Sequence, residues 1–177
     1  MYAIASLLDP VSDQTVRGLW ERFEQNCGLS GVRATPFPHF SWMGADSFLF
    51  EPVEQILAEI ASQTDPFIVY TAGLGIFTGP QPVVYIALEK SEQLLQLSRK
   101  IWNSIRPFAV VPNGHYQPDR WVPHITLAYR EFEAAGLGCA IADIAFQQIE
   151  LEIMVDHIAV IYQTEGVAGL KSRFDFR

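Results

Sequence analysis

Two short segments of this 177-residue chain carry the same order of reactive side chains: Phe37-Pro38-His39-Phe40-Ser41-Trp42-Met43 and Val122-Pro123-His124-Ile125-Thr126-Leu127-Ala128. Each reads proline, histidine, apolar, hydroxyl, apolar. On an extended strand, residues i and i+2 share a face about 6.5–7 Å apart. His39 and Ser41 therefore point one way and Phe40 and Trp42 the other; His124 and Thr126 are opposed in the same manner to Ile125 and Leu127. The apolar side belongs in a core, and the polar side must meet water or a ligand. Unperturbed histidine titrates near pH 6.5, so at neutral pH one imidazole can be neutral while a partner is protonated. A neutral ring takes a proton from water and a charged ring gives one to a leaving oxygen, as in-line displacement at a phosphodiester requires. Ser41 and Thr126 can each donate a hydrogen bond to a non-bridging oxygen as charge builds there.

One His-x-hydroxyl strand means little, since any sheet can hold one by chance of packing. Two copies, each behind a proline and each at the same place in a repeated order, point to catalysis. No HxH, HExxH or DxD pattern stands near either histidine, so the chemistry is expected to need no metal and no other cofactor.

The elements that must carry these residues repeat. In the first half, Tyr2 to Leu8 reads as a buried strand, followed by a helix capped by Ser12 or Asp13 and running to about Cys27. A loop over residues 28–37 leads to the strand from His39. A helix from about Pro52 to Ser62 and an extended run, Phe67 to Thr78, complete the half. After a Gly79-Pro80 turn the order recurs: strand Val83 to Leu88, a helix capped by Ser91, a long loop over 107–122, the strand His124 to Tyr129, and a partly helical stretch over 132–146. Gln148 to Met154 and His157 to Gln163 read as a closing strand pair. The spacing predicts one α+β domain over residues 1–177, bilobal, with pseudo-symmetric lobes over roughly 1–80 and 81–177. Antiparallel sheets would flank a central cleft, with the helices outside.

Composition narrows the partners. The formal net charge is −8, too acidic for gripping a long duplex by phosphate neutralisation. A small nucleotide or an RNA end is the expected substrate. No apolar run approaches the roughly 20 residues of a membrane span, and Met1 to Asp9 lacks the basic start of a signal peptide. Cys27 and Cys139, far apart and outside any CxxC pattern, are expected as buried free thiols. Together these predict a soluble, cytoplasmic protein; the sequence does not encode its oligomeric state, and a monomer is the default expectation.

Several side chains near the motifs are candidate substrate contacts. The loop entering the second motif carries His115, Tyr116, Arg120 and Trp121; Tyr116 or Trp121 can stack on a base and Arg120 can pair with a phosphate. Arg33 precedes the first motif, and Arg130 follows the second strand. His157 has no hydroxyl partner and is expected to be structural. Trp42 and Tyr129 fall by alternation on the face opposite the histidines and are expected in the core.

At its twin motif the chain resembles the 2H phosphoesterase superfamily, the 2′-5′ RNA ligase-like and cyclic phosphodiesterase group, whose signature is a duplicated His-apolar-Ser/Thr motif on two lobes. The resemblance implies metal-independent hydrolysis of 2′,3′-cyclic or 2′-5′-linked phosphodiesters. His39 and His124 would be the acid and base, and Ser41 and Thr126 the phosphate holders. Bacterial members often carry an arginine five places after the second histidine, where Tyr129 stands here. A non-catalytic nucleotide- or RNA-binding module of the same fold and a 2′-5′ RNA ligase are the alternatives.

Overall fold

A computed structural model describes residues 1–129, 134–164 and 167–177, and at 33 and 34 the backbone alone. Among the described residues nine strands form one sheet, in the order β7-β3-β4-β6-β2-β1-β8-β9 with β5 beside β2, and every strand pairing there is antiparallel. The motif strands β2 (His39–Phe48) and β6 (His124–Tyr129) lie next to each other at the centre. β1 (Tyr2–Leu7) flanks β2, and β4 (Val83–Leu88) flanks β6, as the repeated order requires.

The two sides of the sheet draw on both halves of the chain. β3 (Phe67–Phe77) pairs with β4, whereas β8 (His157–Thr164) pairs with β1. Each half thus lends strand to the other's side, which ties the halves into one sheet curled as a half-barrel.

Helix α1 (Pro10–Cys27) starts where the Asp9 carboxylate accepts from the amides of Val11 and Ser12, with Pro10 at the first helical position. The cap is therefore Asp9, a few residues ahead of the expected Ser12 or Asp13. The helix stops at Gly28, whose φ of 67° suits the left-handed terminator. Ser91 caps α3 (Glu92–Ile105) by accepting from the Leu94 amide, as expected. Val16 and Phe23 of α1, Leu57 of α2 (Phe50–Ser62), and Leu94 and Ile101 of α3 join Phe40, Trp42, Ile125 and Leu127 in one core. The apolar face of both motif strands is thereby committed to packing, and the other face is left for the site. Among the described residues no helix is long and apolar enough to cross a membrane.

Three expectations change. β7 (Glu152–Val155) and β8 do not pair with each other; β7 pairs with β3 and β8 lies between β1 and β9 (Val167–Asp175). β9 lies beyond the last strand expected, in a stretch that carries Lys171 and Arg173; an edge strand tolerates charge on its open side. The long loop contains β5 (Ala109–Pro112), which pairs with β2 through Ala45↔Pro112 and Ser47↔Val110.

Cys27 and Cys139 form a disulfide, with Cα atoms 5.7 Å apart. The expected free thiols are overturned: the end of α1 and the helix α4 (Ala134–Ile144) lie side by side, bringing together cysteines 112 positions apart. Arg22 and Asn26 of α1 also bond the Asp143 carboxylate of α4. With a disulfide present, the thiols no longer argue for a reducing compartment.

Candidate active site

Between β2 and β6 the registered partners are Phe40 and Ile125 alone. Continued by one residue each way, that register sets His39 across from Thr126 and Ser41 across from His124. The four reactive side chains then occupy the corners of one quadrilateral, with the histidines on one diagonal and the hydroxyls on the other. All four line a single cavity of about 220 Å³. The aromatic walls include Trp20, Phe77, Tyr116, Tyr129 and Tyr162.

The two imidazoles are held in the same way. His39 Nδ1 lies 3.0 Å from the Phe37 carbonyl and His124 Nδ1 lies 2.7 Å from the Val122 carbonyl. A carbonyl only accepts, so each ring carries its proton on Nδ1 when neutral and Nε2 is the nitrogen left for the cavity. The prolines between carbonyl and histidine serve this turn. Pro38 and Pro123 lack an N–H, and their own carbonyls accept from Leu8 and Leu88 of the neighbouring segments. Burial lowers the pKa of both histidines, against the raising effect of the backbone contact; at His39 the nearby His124 lowers it further.

Both motif strands slip register at the same place. On β2 the pairing passes from Ala5↔Ser41 to Ile4↔Met43, leaving Trp42 as the extra residue. On β6 it passes from Tyr85↔Thr126 to Val84↔Ala128, leaving Leu127. A bulge reverses the facing of everything beyond it. Tyr129, expected in the core by simple alternation, is turned into the cavity. Trp42 is fully buried, as expected.

The ring stack beside His124 depends on a glycine. Phe77 and Tyr85 stack at 4.2 Å and sit 4.9 and 5.2 Å from the His124 ring. Tyr85 lies across Gly75, its registered partner on β3, where any Cβ would collide with the phenol ring. A bare backbone there lets the ring lie flat.

Of the flanking candidates, Tyr116 reaches the cavity and the others divide. Tyr116 packs on Gly44, and burial raises its phenol pKa against the lowering effect of the nearby Ser41 hydroxyl. Its turn is pinned to β2 by the Asn113 amide, which donates to the Gly44 carbonyl at 2.8 Å. Trp121, expected as a base platform, is 1% exposed and stacks on Trp42 at 5.5 Å, so it belongs to the core. His115 and Arg120 are exposed on the loop and are not among the lining residues. Arg33 lies on the 3₁₀ turn Gly31–Ala34, beside Val32 and Thr35, which do line the cavity. Arg130 falls outside the described residues. His157 is buried between the Asp156 carboxylate on Nδ1 and the Leu7 amide on Nε2, a structural histidine as expected.

Asn113, Phe77, Tyr162 and Trp20 are among the cavity residues that sequence reasoning missed. They come from four separate elements and follow no motif, so their convergence carries no sequence signal.

A curled antiparallel sheet whose two central strands each bring a His-x-hydroxyl pair to one cavity is a duplicated-motif α+β protein with a two-histidine site. The family model of the 2′-5′ RNA ligase superfamily matches residues 13–167, and the chain belongs to that superfamily, the 2H phosphoesterases. Its members are in general phosphoesterases or ligases. No curated protein gave a significant match. Among solved structures, the crystal structure of TT0787 of Thermus thermophilus is similar with a TM-score of 0.61 at 18% identity, over 99% of this chain and 97% of that one. At that identity the likeness supports the fold.

Proposed function

We propose that the protein hydrolyses 2′,3′-cyclic or 2′-5′-linked phosphodiesters of nucleotides or RNA ends by two-histidine acid–base catalysis. The observation that carries this is the shared cavity: His39, Ser41, His124 and Thr126 line it together, with both imidazoles fixed through Nδ1. One neutral Nε2 accepts a proton from water as the water oxygen bonds to phosphorus. The P–O bond to the leaving ribose oxygen breaks, and the protonated Nε2 of the other ring supplies that oxygen's proton. Ser41 and Thr126 hold the non-bridging oxygens. His39 and His124 stand on a diagonal, which suits attack and departure on opposite sides of one phosphorus. The same site run in reverse is a ligase, an activity the superfamily's name includes. The net charge of −8 favours a small substrate over a long duplex; the proposed hydrolase acts as a monomer and without a metal.

The test is turnover of a nucleoside 2′,3′-cyclic phosphate to the monophosphate in excess chelator, followed across pH. Activity needs one imidazole charged and one neutral, a state most populated between the two apparent pKa values of the pair. Both pKa values lie below the ordinary 6.5, so the bell in kcat/KM is expected to peak on the acid side of 6.5. A flat profile between pH 5 and 8, or no monophosphate formed, contradicts the proposal.

A further inference from the structure

The carbonyls of the two hydroxyl-bearing motif residues each receive an indole. Trp20 Nε1 donates to the Thr126 carbonyl and Trp121 Nε1 to the Ser41 carbonyl, both at 3.1 Å. The assignments cross. Trp20 stands on α1, ahead of the first motif, and holds the second; Trp121 stands just ahead of the second motif and holds the first. Both rings are nearly inaccessible, at 5% and 1% exposure.

Each contact falls where the ladder slips, at Ser41 before the extra Trp42 and at Thr126 before the extra Leu127. A bulge is where a strand re-aims its side chains. The ladder between β2 and β6 does little to restore the aim, since registered pairing there is confined to Phe40 and Ile125. An indole N–H only donates, and in one direction. Trp121 is further locked by its stack on Trp42. Fixing the carbonyl of residue 41 or 126 fixes the peptide plane that follows, and with it the direction of the Cα–Cβ bond.

We propose that Trp20 and Trp121 are reciprocal positioning residues: each anchors the carbonyl at the other half's bulge and so aims the Thr126 and Ser41 hydroxyls at one phosphate. The proposal deepens the phosphoesterase reading and rests on it for what the hydroxyls hold. It also makes the phosphate grip of each half depend on the docking of the other.

The test is a set of double-mutant cycles read by calorimetric affinity for inorganic phosphate. Trp20→Phe and Trp121→Phe are each measured in the native, Ser41→Ala and Thr126→Ala backgrounds. Loss of one hydrogen bond's worth of positioning is expected to weaken phosphate about three- to tenfold in the native background. Trp20→Phe should then cost nothing further in Thr126→Ala and its full factor in Ser41→Ala; Trp121→Phe should show the converse. General loosening of the fold would carry one factor into every background, and that result overturns the proposal. Unchanged phosphate affinity in both tryptophan variants overturns it as well, as does absence of phosphate binding by the native protein. Should a phenylalanine variant fail to fold, a benzothienylalanine at the same position keeps the bicycle and removes the N–H alone; the same pattern is expected. Turnover of the cyclic phosphate is scored separately, so a silent assay with intact cycles counts against hydrolysis and leaves the positioning role standing.

Discussion

His39→Ala and His124→Ala are each expected to lower kcat for a nucleoside 2′,3′-cyclic phosphate by about 10²–10⁴-fold, the usual contribution of a positioned acid or base. The fold should survive both changes. Each ring is only partly buried and bonds to a backbone carbonyl beside the cavity, so its removal lets water reach the freed carbonyl. The double variant should be little worse than either single one, because proton removal and proton delivery act on one transition state and their losses do not multiply. Steady-state kinetics alongside thermal melts separate the two effects. Undiminished turnover in either variant, with its melting temperature unchanged, contradicts the assigned acid–base roles.

Removal of the Cys27–Cys139 crosslink has the largest effect expected on stability. The bridge closes a loop of 112 positions, and restraining so long a loop in the unfolded chain is worth typically about 2–5 kcal/mol. Replacing both cysteines by serine should therefore lower the urea midpoint, as should a reductant with the native chain. Activity at low temperature should persist, because the Arg22 and Asn26 bonds to Asp143 still hold α1 against α4 and leave Trp20 in place. Identical midpoints for the native and doubly substituted proteins would show that the crosslink does not constrain the unfolded chain.

What could be read in advance was local. The twin Pro-His-x-hydroxyl segments announce themselves because strand alternation needs only neighbouring residues, and the strand bounds Val83–Leu88 and His124–Tyr129 follow from apolar runs between breakers. The misjudged positions depend on events between distant segments. Trp42 and Leu127 are ordinary apolar residues, and nothing in their type says that the neighbouring strand will skip them; hence simple alternation assigns Tyr129 to the wrong face. Trp121 sits two residues before a proline on a loop, where an exposed platform is reasonable, until Trp42 supplies a buried partner. The disulfide needs α1 and α4 to meet, and spacing along the chain cannot encode that. The exchange of β3 and β8 between the two sides of the sheet is likewise a property of the assembled fold, invisible in a strand-by-strand reading.

The central claim is that His39 and His124 address one phosphoryl group. A crystal structure of the protein soaked in inorganic phosphate tests it directly. The expected result is one anion in the cavity, with separate oxygens within about 2.6–3.2 Å of Nε2 on each ring and with Ser41 and Thr126 donating to it. A phosphate seated against one histidine alone, with the other ring turned away or out of reach, would contradict the claim.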